Sequence, residues 1–410
     1  MTEPPAPLDV DAIRAQFPAL SRTENGRQVA YLDGPGGTQV PQRVIDAMTR
    51  VLSQGVSNIG GEFGSSQLAE TTTSQARDAM ADFFNADANE ISFGQNMTSI
   101  TFAVSRALAR QWQPGDAIVV TSLDHDANFT PWARAAEDKG VEVRIAEFDT
   151  ESGELDPSAI AHLLDDRVRL VATCVVSNAI GTVVDVAAIA SLAHQAGALL
   201  YLDAVHAGPH RLVDVRAVDC DFLVASAYKF FGPHTGALYG KLDLLADIDF
   251  YKVRPAPSDP PDKLETGTQS FESMAGVSAA VDYLAGLGTG ADRRSSLESA
   301  YARVHGHEQA LSAQFLDGVS DLPKVTVHGV RAADDRRVAT FAFSVNGLPA
   351  DVVAGALGAR GIYVWSGHYY ALNAIDRLGF LEAGGLVRVG FVHYNTVSEV
   401  DRVLDALASL

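Results

Sequence analysis

The sequence predicts an α/β protein, with a mostly parallel, doubly wound sheet in a large domain and a smaller α+β domain beside it. Three observations carry this. Between about Tyr31 and Tyr239, short apolar, β-branched runs alternate with longer amphipathic stretches, the pattern of crossover units that join parallel strands. Several of the short runs are apolar throughout, as strands covered on both faces must be. Past a Pro-rich stretch at 254–261 (RPAPSDPP) the rhythm stops and the chain becomes helix-rich.

The elements follow in order. Helical patterns over 42–52, 68–84 and 99–110 come first. The strand-like run Ile118-Val119-Val120 is followed by a helical stretch at 130–138 and a strand at 141–145. A strand at 170–176, a helix at 186–194 and strands at 199–202 and 222–225 complete the alternation. The Pro-rich stretch reads as a loop. Helices at 273–287 and 293–316 come next, then a strand-like segment at 337–345 and helices near Asp351 and Val397. The expected division is a large domain over 32–276 and a small one made of 277–410 together with 1–31. The cluster Gly286-Leu-Gly288-Thr-Gly290 follows a helical pattern and not a strand, and its spacing is wrong for a dinucleotide turn. It reads as a helix C-terminus and loop.

A chain of 410 residues, 47% hydrophobic and 20% charged, is an ordinary globular protein long enough to bury a cofactor. Its formal net charge of −20 argues against nucleic acid or an anionic membrane surface as a partner. No apolar run is long enough to span a bilayer. The opening Met1 to Pro7 (MTEPPAP) lacks a secretory pattern and reads as a frayed tail. Cys174 and Cys220 show no CxxC spacing, which points to buried thiols in a reducing cytoplasm.

Residues 200–240 carry the chemistry. One strand ends in Asp203 and leads to His206 and His210; the next leads to Ser226-Ala-Tyr-Lys229. Both groups therefore sit at the carboxyl ends of neighbouring strands, where open parallel sheets bind ligands. A lysine kept partly deprotonated there can form an imine. An aspartate at a nearby strand end can pair with a protonated pyridine nitrogen and keep the ring electron-withdrawing. Alone, each would be read as a surface lysine or a helix cap. Together they favour pyridoxal 5′-phosphate, held as a Schiff base on Lys229.

The segments Asp203-Ala-Val-His206-Ala-Gly-Pro-His210 and Ser226-Ala-Tyr-Lys229 resemble the cofactor segments of class V aminotransferases, in the cysteine desulfurase-like branch. The likeness begins at Tyr31-Leu-Asp33-Gly-Pro-Gly-Gly-Thr38. It continues through Asp124-His125-Asp-Ala-Asn128, Ser177-Asn178-Ala-Ile-Gly181-Thr182 and Glu265-Thr-Gly267-Thr268, and ends in Val387-Arg388-Val-Gly-Phe-Val-His-Tyr394. Each motif is weak alone; seven in family order make a strong signal. The resemblance implies the pyridoxal phosphate-dependent transferase fold of type I and a homodimer.

It also implies roles. Lys229 would hold the cofactor aldehyde and then move a proton at the substrate Cα. Asp203 would bind the pyridine nitrogen, and His125 would stack on the ring. Asn178 and His206 would lie near the ring hydroxyl, although the family more often has glutamine at His206. Met97, Thr98 and Ser226 would serve the phosphate at the N-terminus of the helix beginning near Ser99. Thr268 would reach the phosphate of the neighbouring subunit. Arg388 would clamp the α-carboxylate of an amino acid substrate, a task suited to a planar guanidinium. Asp124-His125-Asp126 and His206 with His210 superficially invite a metal, but no HExxH or paired CxxC is present.

One departure redirects the function. Desulfurases carry a mobile cysteine that takes sulfur as a persulfide, in one branch within Arg-Thr-Gly-His-His-Cys-Ala. This chain reads Trp365-Ser366-Gly367-His368-Tyr369-Tyr370-Ala371, with Tyr370 at the cysteine position. A phenol cannot accept sulfane sulfur as a thiolate does; it can donate a proton to a leaving group. The expectation is chemistry at the Cα or Cβ of an amino acid, by aminotransferase or C–S β-lyase routes. The alternatives are desulfuration without the usual cysteine and a non-catalytic cofactor-binding relative.

Overall fold

The structure, a computed structural model, describes residues 7–410. Of the tail expected over 1–7, all but Pro7 lies outside the described residues; the Pro7 carbonyl accepts from Arg303 Nη2 at 2.8 Å. The chain opens with α1 (Val10–Arg14), a hairpin of β1 (Thr23–Glu24) and β2 (Arg27–Gln28), and β3 (Ala30–Tyr31). Next come α2 (Gln42–Gln54), α3 (Gly64–Phe84), β4 (Ile91–Gly94), α4 (Met97–Leu108), β5 (Ala117–Thr121), α5 (Thr130–Lys139) and β6 (Glu142–Ala146). The alternation continues through α6 (Pro157–Ala161), β7 (Val168–Cys174), α7 (Val186–Gln195), β8 (Leu199–Asp203), α8 (Val215–Val218), β9 (Phe222–Ser226), β10 (Gly236–Gly240) and α9 (Leu242–Asp247). After the Pro-rich loop come α10 (Phe271–Ala285), α11 (Arg293–Ser320), β11 (Val325–His328), β12 (Thr340–Val345) and α12 (Ala350–Gly358). The chain ends with β13 (Ile362–Tyr363), β14 (Trp365–Gly367), α13 (Leu372–Arg377), β15 (Leu386–Gly390) and α14 (Val397–Ala408).

The central sheet has the order β4-β10-β9-β8-β7-β5-β6. All its strands are parallel except β10, which runs antiparallel to both β4 and β9. Sequence reading did not anticipate β4 and β10. Ile91-Ser-Phe-Gly94 is short, and Gly236-Ala-Leu-Tyr-Gly240 begins and ends in glycine, so neither shows strong β-propensity. Both form because each finds a paired neighbour at the edge of an already apolar sheet.

Along the central strands successive side chains enter opposite cores, which is why their runs are apolar throughout. Leu200 and Leu202 of β8, and Leu223 and Ala225 of β9, pack on one face. Tyr201, Phe222 and Val224 pack on the other with Trp112 and Trp132. Truncating such a fully buried leucine to alanine costs about 2–5 kcal/mol.

A second sheet, β11-β12-β15-β14, lies in the C-terminal part with its own core around Phe315, Phe341, Phe343 and Phe391. The N-terminal segment joins that part: β3 pairs in parallel with β13, Ala30 opposite Ile362. The boundary expected between 276 and 277 falls inside α10, which packs along α2 and α3. Among the described residues no helix is long and apolar enough to cross a membrane.

Candidate active site

The carboxyl ends of the parallel strands converge on one cavity. β8 delivers Asp203 and β7 delivers Cys174 beside it in register. β9 ends at Ser226, and one tight helical turn, Ala227–Lys229, carries the lysine over the edge of the sheet. The loop after β5 brings His125, and the loop after β4 brings the N-terminus of α4, where Asn96 Oδ1 accepts from Ser99 N at 2.9 Å. The helix begins at Met97, two residues earlier than its apolar pattern suggested, because Asn96 caps it.

Two chambers share Lys229. The inner one, about 500 Å³, is lined by Asp203, His125, Asn178, His206, Met97, Thr98, Ser226 and Lys229, together with Cys174 and His234. The outer one, about 610 Å³, is lined by Arg388 and Tyr370, with Trp365 and Tyr369, and shares His125, Asn178, Thr98 and Lys229 with the first. Of the residues singled out from sequence, only Thr268 stands apart. It lines a broad surface cleft of about 860 Å³ and an adjoining one of about 490 Å³ that reaches Ser99 and His234.

Burial, with the Arg388 charge nearby, brings the Lys229 amine down to about 7, although Asp203 and Asp33 oppose this. Its Nζ donates to the Pro35 carbonyl and lies 4.9 Å from the centre of the Tyr228 ring. Burial pushes Asp203 up to about 6, while the Val205 amide, donating to Oδ1 at 2.8 Å, and Lys229 hold it down. Asp33 is likewise pushed to about 6 by burial, and its Oδ1 has no partner within the protein. His125 is lowered to about 4, first by burial and then by Lys229 and Arg388, so it is neutral at pH 7. Its Nδ1 accepts from Ala127 N at 3.0 Å, which leaves the proton on Nε2.

The turn 177–182 presents Asn178. Ser177 N donates to Thr182 O at 2.9 Å, and Gly181 stands at φ +76, where a Cβ would lie 2.4 Å from Thr340 O. Asn178 Nδ2 donates to Tyr369 O at 3.0 Å, and its own carbonyl oxygen accepts from Arg388 Nη1 at 2.7 Å. Its Oδ1 is buried and unpartnered, as are His206 Nδ1 and Arg388 Nε. His206 Nε2 lies 3.0 Å from Thr340 Oγ1, and burial holds that imidazole neutral. Such orphaned buried atoms are costly unless something else meets them. They line a cavity of cofactor size and supply donors and acceptors at its wall.

At the other end of the inner chamber, Met97 N donates to Ser226 Oγ at 2.9 Å, and His234 stacks on Tyr228 at 4.6 Å and 8°. Thr98 Oγ1 lies 3.5 Å from Met97 Sδ, an easily exchanged contact. Arg388 is buried in β15, with its guanidinium 4.4 Å from the centre of the Tyr369 ring; burial lowers it to about 10, still charged. Tyr369 and Tyr370 both adopt left-handed backbone, φ +51 and +58. For bulky residues this costs on the order of 1–3 kcal/mol each. Tyr370 is 68% exposed, yet its ring lies nearly parallel to His125, with centroids 5.6 Å apart.

Sequence reading assigned no role to Asp33, Pro35, Tyr228, His234 or Thr340. Asp33 and Pro35 sat inside a quoted motif, but only the folded chain brings that loop onto Lys229. Cys174, expected as a buried thiol, is buried and lines the inner chamber. Burial with Asp124 and Asp203 beside it raises its thiol well above the usual range. Cys220 is buried and lines neither chamber.

A family model described as aminotransferase class-V matches residues 30–403. The chain is 32% identical to a cysteine desulfurase of Yersinia pestis, covering 97% of each protein. It is 34% identical to a probable cysteine desulfurase of Mycolicibacterium paratuberculosis, covering 98% of this chain and 58% of that protein. Among solved structures, the apo cysteine desulfurase of Thermococcus onnurineus superposes with a TM-score of 0.88 at 26% identity, covering 98% of each chain. An Escherichia coli cysteine desulfurase, in an S-sulfonic acid form, gives 0.85 at 26% identity over the same share. With this match along nearly its whole length, the chain belongs to the class V aminotransferase family.

Proposed function

We propose that the protein is a pyridoxal 5′-phosphate-dependent enzyme acting at the Cα or Cβ of an amino acid, by aminotransferase or C–S β-lyase chemistry. The observation that carries this is the lysine at the junction of two chambers, with an amine near pH 7 and a buried carboxylate behind it. An amine of ordinary basicity would be almost wholly protonated, with little free base to form an imine.

The residues fit the cofactor. Lys229 would hold the aldehyde, Asp203 the pyridine nitrogen, and His125 the ring face. The unpartnered Asn178 Oδ1 and His206 Nδ1 would meet the ring hydroxyl. The Met97 amide with Thr98 and Ser226 would hold the phosphate, joined by Thr268 from a second subunit. When bound, the cofactor supplies an electron-withdrawing ring that stabilises charge left at Cα. Arg388 would orient the substrate through its carboxylate, Lys229 would move the proton at Cα, and Tyr370 would protonate a leaving group at the mouth. We assign 32–276 to the cofactor-holding domain, 277–410 with the N-terminal segment to the second, and the whole to the cytoplasm as a homodimer.

The relatives' names favour a second reading, desulfuration. It would need a thiolate in the outer chamber; Cys174 lies in the inner one and burial keeps it protonated. The test is hydride reduction of the purified protein followed by peptide mapping. A pyridoxyl group on Lys229, lost in Lys229→Ala, is the expected result. A label on another lysine, or none, removes the reading.

A further inference from the structure

The outer chamber is built for more than a small side chain. Resting on the reading above, we propose that the substrate is an amino acid bearing an aromatic ring beyond Cβ, whose ring seats between Trp365 and Tyr370. An amino acid whose amine is seated beside Lys229 and whose carboxylate is paired with Arg388 has two of its Cα substituents fixed. The third must enter what remains of the outer chamber, about 610 Å³ in all. A side chain of one or two heavy atoms would leave most of that space to water, whereas an aromatic side chain takes up a larger share of it.

The chemistry of the wall selects the same class. Its wall carries Trp365, Tyr369, Tyr370, Phe102 and Tyr228. The carboxylate in that wall, Asp126, accepts from Thr130 Oγ1 at 2.9 Å. Arg388 faces the substrate's own carboxylate and donates to Asn178 O. Asp126 is the one carboxylate and Arg388 the one guanidinium among the residues lining this chamber, and His368 Nδ1 is already occupied by Tyr370 N.

Trp365 and Tyr370 are 52% and 68% exposed, yet neither is loosely placed. Tyr370 N donates to His368 Nδ1 at 3.1 Å, its carbonyl accepts from Asp126 N at 2.6 Å, and its ring lies on His125. Trp365 lies against Gly36, where an added Cβ would come within 2.2 Å of Nε1. Large rings held in position and turned toward a cavity form a recognition surface; scattered exposed aromatics do not. Neither cysteine lines this chamber, so it offers no thiol for a sulfur atom to reach.

The test uses the full-length, cofactor-loaded protein and reads the absorbance change of the bound cofactor on titration. L-phenylalanine and S-benzyl-L-cysteine are compared with L-alanine, L-cysteine and L-aspartate. The aromatic ligands should bind at least about tenfold tighter than alanine, or about 1.4 kcal/mol. Trp365→Ala and Tyr370→Ala should each erase most of that preference. Tyr370→Phe should keep it. Equal affinity for phenylalanine and alanine overturns this inference and leaves the enzyme reading intact; so does a preference that survives both alanine variants. A protein that holds no cofactor on Lys229 overturns both.

Discussion

Arg388 Nη1 donates to the backbone carbonyl of Asn178 at 2.7 Å, while the buried Nε of the same guanidinium meets nothing in the protein. One donor of the guanidinium is thus anchored while Nε stays unpartnered. Arg388→Ala should weaken amino acid binding by about 2 to 5 kcal/mol. Cofactor retention should hardly change. A spectral titration that finds unchanged affinity would take Arg388 out of the site.

The charges that face one another across the inner chamber carry a pH signature in the cofactor-free protein. Lys229 titrates at about 7 when folded and at 10.5 in the unfolded reference. Between these values the unfolded chain binds a proton that the folded chain does not. The penalty is full below pH 7 and disappears as the pH rises to 10.5. Asp203 runs the other way: pushed from 3.8 to about 6, its penalty is full above pH 6 and fades as the pH falls to 3.8. Lys229→Met should therefore raise Tm by a few degrees below pH 7, with the gain gone near pH 10.5. Asp203→Asn should raise it above pH 6 and lose its effect near pH 3.8. Thermal melts across that range decide it; a gain independent of pH would mean that packing, not charge, is responsible.

If Thr268 serves a neighbouring site, assembly and cofactor retention are linked. Sedimentation of the loaded protein should show a dimer or larger. Thr268→Val should weaken retention by about 0.5–1.5 kcal/mol, one hydrogen bond's worth. A fully active monomer at assay concentration would contradict the shared site.

The fate of a substrate sulfur separates elimination from desulfuration. The variant Cys174→Ala with Cys220→Ala should fold and keep its turnover, because elimination needs an acid at the leaving group and no thiolate. Tyr370→Phe should slow turnover by about 100-fold or more while still binding the amino acid. Loss of turnover in a folded, loaded cysteine-free protein, with a persulfide trapped in the parent, would establish the desulfurase reading instead.

Lys229 and Asp203 were legible in the sequence because each closes an apolar run, and strand polarity then puts both at one end of the sheet. The start of α4 was legible to within two residues from its apolar pattern, while the Asn96 cap that fixes it was not. What could not be read were contacts between distant segments: Pro35 on Lys229, the Arg388 guanidinium on Asn178, and Thr340 on His206. Periodicity reports which face a residue takes, not which remote loop meets it. The same limit hid Cys174, whose place in an apolar strand is real but whose strand ends in the cavity. The strands β4 and β10 escaped notice because glycine dilutes their pattern and pairing partners, not propensity, make them strands.

The pairing of β3 with β13 has a consequence in time. Residues 30–31 lie near the start of the chain and their partners 362–363 near its end; Asp33 is bridged to Gly390 still later. A chain emerging from the ribosome can assemble the central sheet, from β4 to β10, while these N-terminal residues wait unpaired. The loop that sets Pro35 over Lys229 follows directly on that waiting strand. The lysine's surroundings are therefore completed only after residues 362–390 have been made, and until then its amine is less buried than in the finished fold.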